Sequence, residues 1–207
     1  DVRVSPGGAA LAGITQVATG QGFTCARTSA GGVKCWGDNT YGQLGDGTNT
    51  SSTTPVDVRV SAGGAVLAGV AQISPGAFHA CALLDGGGVK CWGLNSQGQL
   101  GDGTFANRAS PVDVLASGPP GPALAGIAQV TAGGFHTCAL TSSGGARCWG
   151  YNDFGQLGDG TNAASALPKS VLSSPGGAAI TGLAQIAGGE RHTCAVNRKS
   201  TRLNSSH

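Results

Sequence analysis

The sequence predicts an all-β protein made of repeated four-stranded units, and three observations carry this prediction. The string CWGxNxxGQLGDGT occurs at residues 35–48, 91–104 and 148–161, at offsets of 56 and 57 residues. Upstream of it, a cysteine recurs with the same period, at positions 25, 81, 138 and 194. The 207 residues include 38 glycines and 9 prolines, which disfavour long helices and supply turns.

Each period contains four short segments with strand character. In one copy these segments are TPVDVRV (54–60), GVAQIS (69–74), HACALL (79–84) and GGVKCWG (87–93). The first alternates, so that Val56, Val58 and Val60 are expected to share one face. Four antiparallel strands in a repeat of this length favour a blade of a β-propeller, with a β-solenoid of shorter coils as the alternative. The length then corresponds to a partial propeller of about 3.6 blades, each of 56–57 residues.

The repeats define one domain over residues 1–197. Residues 198–207, RKSTRLNSSH, have no counterpart in the other copies and are mostly polar. We expect this tail to be disordered or extraneous to the fold.

Charge and hydropathy argue against nucleic-acid binding and against a membrane-spanning segment. The net charge is +2, but three of the twelve basic residues lie in the tail, which leaves residues 1–197 at −1 without a Lys or Arg cluster. Nucleic-acid binding normally requires such a cluster to displace counterions from phosphates. Nor does any apolar run approach the roughly 20 residues that span a bilayer. We therefore expect neither nucleic-acid binding nor a membrane span.

The repeat resembles the regulator of chromosome condensation family, whose members form seven-bladed β-propellers. In the clearest copy, the residues that carry the resemblance are His136, Thr137, Cys138, Trp149, Gly150, Asn152, Gly155, Gln156, Leu157 and Gly158. The resemblance covers residues 1–197. It implies a propeller face that binds other macromolecules, as in a nucleotide exchange factor, a plant photoreceptor and a secreted bacterial inhibitor of β-lactamases. The paired cysteines look like the secreted bacterial versions.

One position departs from the repeat. Residue 23 is Phe, where the later copies have His79, His136 and His192. A histidine is therefore not obligatory there, and its recurrence in the other copies favours a structural hydrogen bond over catalysis.

Six of the seven cysteines fall into pairs ten residues apart, Cys25/Cys35, Cys81/Cys91 and Cys138/Cys148. A β-hairpin with this spacing and a Gly-rich middle places the two cysteines opposite each other, which favours three disulfides and an oxidising compartment. Free buried thiols are an alternative, and so is a metal site that uses His79, Cys81 and Cys91. The partner of Cys194 would fall at Asn204, so we expect Cys194 to be a free thiol.

Two repeated features have architectural interpretations. The GQLGDGT string could suggest a phosphate cradle or a calcium loop built on Asp46, Asp102 or Asp159, but it lacks the helix and lysine of the former and the several oxygens of the latter. Tight turns explain it better. The once-per-repeat tryptophans Trp36, Trp92 and Trp149 indicate packing between blades, with a sugar-binding platform as the alternative.

We expect the functional residues at positions that differ between the copies of the repeat. The divergent loops include 105–110 and 117–122, where Phe105 and Arg108 are the candidate partner-binding residues. No non-repeated nucleophile, base and orienting group occur together, so we predict no enzyme, no catalytic or metal-binding residue and no cofactor.

The sequence thus predicts a macromolecule-binding or scaffold module, most simply for protein–protein interaction at the bacterial cell surface or outside the cell. A carbohydrate-binding or hydrolase-associated domain is the alternative, and nucleotide exchange is a disfavoured third. Blade edges left open by a partial ring are also expected to promote self-association.

The cysteine pattern generates a test. When protein made under oxidising conditions is denatured without reductant, thiol labelling should modify one cysteine per chain, Cys194. Peptide mapping should recover the 25–35, 81–91 and 138–148 links. Three or more labelled thiols would contradict the disulfide interpretation.

Overall fold

The computed structural model describes residues 2–3 and 8–197, which form fourteen β-strands and no helix. The predicted tail, residues 198–207, lies outside the described residues. Blade 1 contains β1 (Ile14–Thr19), β2 (Phe23–Thr28), β3 (Val33–Gly37) and β4 (Ser52–Asp57). Blade 2 contains β5 (Val70–Pro75), β6 (His79–Leu84), β7 (Val89–Gly93) and β8 (Arg108–Asp113). Blade 3 contains β9 (Ile127–Ala132), β10 (His136–Thr141), β11 (Ala146–Gly150) and β12 (Ser165–Ser170), and blade 4 contains β13 (Leu183–Gly188) and β14 (Thr193–Asn197).

The strands of each blade follow one another as an antiparallel meander. Blades 1, 2 and 3 are four-stranded sheets in chain order, and the described part of blade 4 is a two-stranded sheet. The predicted all-β architecture of about 3.6 blades is confirmed. The buried apolar clusters lie between consecutive sheets, as expected for blades that pack face to face.

The segment predicted as one strand over 54–60 is shorter than expected. It ends at Asp57 as the fourth strand of blade 1, and the chain then turns into a short hairpin closed by a bridge between Arg59 and Val66. Because of that turn, Val58 is wholly buried whereas Val60 is 45% exposed. The prediction that Val60 shares a face with Val58 was therefore wrong.

The cysteine pairs join the second and third strands of each complete blade. Cys25, Cys81 and Cys138 are directly opposite Cys35, Cys91 and Cys148 in the strand register, and each pair is disulfide-bonded with its Cα atoms 4.1 Å apart. Cys194, at the equivalent position of β14, is a free and exposed thiol.

The GQLGDGT string forms a loop that is organised by the asparagine preceding it. In blade 1, Asn39 Nδ2 donates to the carbonyl oxygens of Thr48 and Thr50 at 3.0 and 3.1 Å, and Asn39 Oδ1 accepts from Leu44 N at 2.9 Å. Asp46 accepts from the backbone N–H of Thr48. Asn95 and Asn152 repeat these bonds in blades 2 and 3. These contacts support the turn interpretation.

The tryptophans connect one blade to the blade before it. Trp92 and Trp149 are wholly buried, and each indole Nε1 donates at 2.9 Å to a carbonyl of the preceding blade, that of Gln43 or Gln99. Gly45 lies against the Trp92 indole with φ +70°, and a Cβ there would come within 2.7 Å of Nε1. The indole can therefore enter only because glycine leaves the space open.

Glutamines link the first strand of one blade to the first strand of the next, in the direction opposite to the tryptophans. Gln16 Nε2 donates to the carbonyl of Ile73 at 2.7 Å, and Gln16 Oε1 accepts from the Ile73 N–H at 3.0 Å. Gln129 makes the same two bonds to Ile186. Since an inner strand of one blade has no ladder partner in the next, these side chains satisfy backbone groups that would otherwise be unpaired.

The repeated histidines complete the contact between blades. His79 Nε2 lies 2.9 Å from Thr137 Oγ1 in the next blade, and Thr137 Oγ1 donates to the Gln99 carbonyl at 2.9 Å. Because this hydroxyl proton goes to Gln99, Nε2 of His79 carries the proton and donates it to Thr137. His136 contacts Thr193 in the same way at 2.9 Å.

Where Phe23 replaces the histidine, the residue that it faces in the next blade is also different. The position equivalent to Thr137 is Ala80, and Phe23 and Ala80 lie in one buried apolar cluster. An apolar pair therefore replaces the His–Thr hydrogen bond at the contact between blades 1 and 2. Both partners change together, so neither leaves a buried polar group unsatisfied.

This exchange can be tested by a mutant cycle. Thr137→Ala should destabilise the protein by about 1–3 kcal/mol, because the buried His79 N–H loses its acceptor. His79→Phe combined with Thr137→Ala recreates the blade 1 pair and should cost less than the sum of the single changes, by about 1 kcal/mol or more. Urea unfolding of the four proteins measures this difference. Strict additivity would show that the two positions are not coupled.

The buried histidines also predict an acid dependence of stability. Burial, with a smaller contribution from His136, lowers the pKa of His79 to about 3, and burial lowers that of His136 to about 4. Both are neutral in the folded protein, so the stability they contribute is present above the unfolded pKa near 6.5 and is lost as the pH falls below it. Because each histidine is protonated in the unfolded chain but not in the folded protein at pH 5, each should lower the free energy of unfolding by about 2 kcal/mol relative to pH 7. Urea unfolding at the two pH values measures the loss, which should be smaller in the His79→Phe/Thr137→Ala variant; an equal loss would contradict the assignment.

Candidate interaction surface

One end of every blade carries the loops that vary most in aromatic content. In an antiparallel meander, the loop from the first to the second strand and the loop from the third to the fourth strand emerge at the same end. We call this end of the blades the aromatic face. Six of the seven phenylalanine and tyrosine residues lie in these loops. Five of them, Tyr41, Phe78, Phe135, Tyr151 and Phe154, form what we call the aromatic row, and the sixth is Phe105.

The first three rings of the row come from three consecutive blades. The centroids of Tyr41 and Phe78 are 5.6 Å apart in an edge-to-face arrangement, and those of Phe78 and Phe135 are 6.0 Å apart. Such ring pairs add about 0.5–1.5 kcal/mol beyond the area they bury. The rings therefore form a continuous strip across the contacts between blades.

Backbone hydrogen bonds hold the loops that present these rings. Gln21 N donates to the Ala77 carbonyl at 2.9 Å, and Ala77 N donates to the Gly134 carbonyl at 3.3 Å. Gly134 N donates in turn to the Glu190 carbonyl at 3.1 Å. Phe78 and Phe135 each follow one of these bonded residues, so the spacing of their rings is set by the packing of the blades.

Arg191 lies at one end of the aromatic row, against Phe154. Tyr151 and Phe154 lie edge to face with centroids 6.0 Å apart, and the guanidinium carbon of Arg191 lies 5.3 Å from the Phe154 ring centroid. The Tyr151 hydroxyl donates to Asp153 at 2.9 Å, and this hydrogen bond raises the pKa of Tyr151.

A cleft of about 290 Å³ joins the two halves of the row. It is lined by Ser96, Gln97, Phe135, Tyr151, Phe154 and Arg191. Aromatic rings, one guanidinium and an amide thus converge on a concave surface. Tyr and Arg are the residue types that most often anchor protein interfaces.

The two residues nominated from the sequence are not part of the aromatic row, although Phe105 lies in a loop at the same end of the blades. Phe105 is 58% exposed, at the edge of a different cleft that is also lined by Thr161 and Lys169. Arg108 Nε donates to Asp102 Oδ2 at 2.9 Å, and Asp102 is only 7% exposed. Burial raises the pKa of Asp102, but hydrogen bonds from Thr104 and the pairing with Arg108 outweigh it, so the pKa is lowered. Arg108 therefore neutralises a buried carboxylate in its own loop.

The sequence contains a signal for the aromatic row, in positions that vary within the repeated motif. The position before the His or Phe of the second strand holds Gly22, Phe78, Phe135 and Arg191 in successive copies. The second position after the motif asparagine holds Tyr41, Gln97 and Phe154. These are variable positions inside an otherwise constant motif, whereas Phe105 and Arg108 lie in the variable loops between motifs.

The repeat geometry agrees with comparisons to known proteins. A family model for the regulator of chromosome condensation (RCC1) repeat matches residues 30–83, 87–140 and 143–196, and a second RCC1 repeat model matches 14–43, 70–99 and 127–156. The chain belongs to the RCC1 repeat family. The expected resemblance is confirmed at that level.

Curated relatives of the RCC1 family are longer proteins. The chain is 33% identical over 194 residues to the probable E3 ubiquitin-protein ligase HERC4 of Homo sapiens, covering 92% of this chain and 17% of HERC4. It is 30% identical over 183 residues to the ultraviolet-B receptor UVR8 of Arabidopsis thaliana, covering 88% of this chain and 39% of UVR8. It therefore spans well under half the length of either relative.

Solved structures show the same fold. Human WBSCR16 superposes with a TM-score of 0.70 at 24% identity, over 90% of this chain and 46% of that one. Yeast RCC1 (Prp20), in a structure with Kap60 bound, superposes with a TM-score of 0.69 at 24% identity, over 89% and 41%.

The described residues contain no group of three or more His, Cys, Asp or Glu side chains that could hold a metal ion. Nor do they contain a helix with the length and apolarity needed to cross a membrane. His79 and the Cys81–Cys91 pair, the alternative metal ligands, are engaged by Thr137 and by a disulfide respectively.

Proposed function

We propose that this RCC1-repeat chain is a protein-binding module that acts outside the cell or at the surface of a bacterium, with the aromatic row and Arg191 as its contact surface. The observation that carries the proposal is the collection of five rings and one guanidinium on a single face. Protein binding is also consistent with a similar structure, since yeast RCC1 (Prp20) was solved with Kap60 bound to it.

Exposure and rigidity both support this surface. Phe154 is 60% exposed although it is a large apolar side chain, and the Arg191 side chain is 64% exposed. An aromatic ring ordered by its neighbours loses little conformational entropy when it is covered, so it can contribute most of its apolar area to affinity. A partner with an apolar patch beside a carboxylate would complement Phe154 and Arg191.

The compartment is proposed from the disulfides. Three disulfides are expected in a protein that matures in an oxidising environment, and each closes a hairpin within one blade. They stabilise the hairpins that carry the loops of the aromatic face. The secreted bacterial setting rests on the resemblance of the paired cysteines to such members of the family.

A pair of matched variants tests the contact surface. Phe154→Ala should weaken capture of partners from a bacterial envelope extract by about tenfold, the loss expected for an aromatic anchor worth about 1.4 kcal/mol. Phe105→Ala is the control, because Phe105 has nearly the same exposure, 58% against 60%, but lies outside the row. Quantitative proteomics of the captured proteins measures both effects.

The outcomes separate the candidate surfaces. The Phe154→Ala variant could capture partners as well as the unaltered protein while Phe105→Ala loses capture. That result would show that the contact surface is the 105–110 loop and not the aromatic row. If neither variant affects protein capture and Phe154→Ala instead abolishes binding to a glycan array, the chain is a carbohydrate-binding domain. Thermal unfolding confirms that both variants remain folded, as expected for exposed positions.

A further inference from the structure

The chain contains four Asp-Gly peptide bonds, and one of them differs from the rest in its surroundings. An aspartyl carboxyl group can close a five-membered ring with the nitrogen of the next residue, and glycine obstructs this closure least because it has no Cβ. The reaction requires that the carboxyl group and the nitrogen are free to meet. Three of the four bonds belong to the repeated GQLGDGT string, and the fourth lies in the turn between β6 and β7: Asp46–Gly47, Asp102–Gly103, Asp159–Gly160 and Asp85–Gly86.

Hydrogen bonds hold the reacting groups in the repeated string. Asp46 Oδ1 accepts from the N–H and the hydroxyl of Thr48 at 2.9 and 2.8 Å. The Gly47 nitrogen donates at 2.9 Å to the Ala109 carbonyl in the next blade. Ring closure would have to break these bonds first. The other copies repeat them, with Asp102 held by Thr104, Asp159 held by Thr161, and Gly103 bonded to Ala166.

Neither reacting group of the fourth bond is held in this way. Asp85 and Gly86 are the exposed central residues of a turn that is closed by a 2.8 Å hydrogen bond from Gly87 N to the Leu84 carbonyl. No described residue donates to the Asp85 carboxylate or accepts from the Gly86 nitrogen. A Cβ at Gly86 would meet no atom within 4 Å, so the peptide has room to rotate.

The turn is also less restrained than its counterparts in blades 1 and 3. There, Thr28 Oγ1 accepts from Gly32 N at 3.0 Å, and Thr141 Oγ1 accepts from Gly145 N at 2.9 Å. Leu84 occupies the threonine position in blade 2 and has no oxygen to accept such a bond. One hydrogen bond that ties the turn to its own hairpin is therefore missing in blade 2.

We propose that Asp85–Gly86 is a site of spontaneous isomerisation, and that the isoaspartate formed there loosens the contact between blades 2 and 3. The turn joins the second and third strands, so it lies at the end of the blades opposite to the aromatic face. The proposal therefore does not depend on the proposed function.

The reaction needs only water. The Gly86 nitrogen attacks Cγ of the protonated Asp85 carboxyl group, an N–Cγ bond forms, the Cγ–OH bond breaks, and water leaves with the nitrogen's proton. Water then adds to the main-chain carbonyl carbon of Asp85 and breaks its bond to the Gly86 nitrogen. The chain now continues through Cγ, and the former main-chain carbonyl becomes a free carboxylate. One water is released and one is consumed, so the product is an isomer of the starting protein.

The isomerised turn no longer fits between its two attachments. Asp85 N donates to the Gly69 carbonyl at 2.8 Å, and the Gly87 carbonyl accepts at 3.0 Å from Ile127 N, in the first strand of blade 3. Isomerisation places an additional carbon, Cβ, in the main chain between these two anchors. There is little room to absorb it, because a Cβ at Gly87 would already lie 3.4 Å from Ile127 N. The hydrogen bond to blade 3 is therefore expected to weaken.

Ageing of the full chain at neutral pH tests the site. Cys194 is alkylated beforehand so that thiol oxidation does not contribute. After ageing, reduction and trypsin digestion place each Asp-Gly bond in a separate peptide, residues 35–59, 60–90, 91–108 and 148–169. Liquid chromatography separates the isoaspartyl form of each peptide from the aspartyl form, and electron-transfer fragmentation identifies it.

The comparison between peptides decides the result. In the folded protein, the 60–90 peptide should accumulate isoaspartate at least about tenfold faster than each of the others, because those must first break hydrogen bonds to a carboxylate. In the reduced chain unfolded in guanidinium chloride, the four rates should become similar. A folded-state rate at Asp85 no higher than at the other sites would overturn the proposal. So would a rate advantage that persists undiminished in the unfolded chain.

A glycine substitution tests the effect on stability. Gly86→Ala adds a side chain beside the attacking nitrogen, and the turn has space for it because the φ of Gly86 is not left-handed. The isomerised fraction of the aged unaltered protein should unfold at a Tm about 2–4 °C lower, the shift expected for one weakened hydrogen bond. The aged Gly86→Ala variant should keep the Tm of its fresh sample. Isomerisation at Asp85 without any change in Tm would overturn the proposed loosening of the contact between blades.

Discussion

Blades 2 and 3 are each held to the preceding blade by an indole that enters a pocket belonging to that neighbour. Trp92 and Trp149 are wholly buried and donate to Gln43 and Gln99, and glycine is required where the ring passes. The two sides of this contact come from adjacent repeats, so a single repeat cannot bury its own apolar face. This explains why the motif containing tryptophan, glutamine and glycine is constant while its surroundings vary.

The aromatic face depends on that contact. Phe78 and Phe135 belong to different blades, and their rings come within 6.0 Å only because the loops that carry them are hydrogen-bonded across the blade boundary. Side chains that differ between the repeats are therefore held at fixed positions relative to one another. Disulfides fix the strands within each blade, and hydrogen bonds fix each blade against the next, so both are needed to keep this arrangement rigid.

The sequence predicted the repeated architecture well because periodicity reports directly on which contacts recur. The cysteine spacing predicted the hairpin pairing, and the tryptophans predicted packing between blades. It could not predict that the strand containing Val56 ends at Asp57, because alternation continues past the point where the backbone turns. Phe105 and Arg108 remain predictions as binding residues, and nothing in the sequence indicated that Arg108 is hydrogen-bonded to a buried carboxylate, that of Asp102.

Variation between repeats has two physical meanings, and the structure distinguishes them. Phe23 departs from the histidine of the other copies, yet the next blade changes with it, from threonine to Ala80, so the contact stays satisfied and the change is architectural. Gly22, Phe78, Phe135 and Arg191 also differ from one another, but their position lies in the loop before the second strand, where no buried partner has to change with them. Compensated variation in a repeat protein therefore indicates packing, and uncompensated variation at a rigid position indicates a surface that selection can shape for binding.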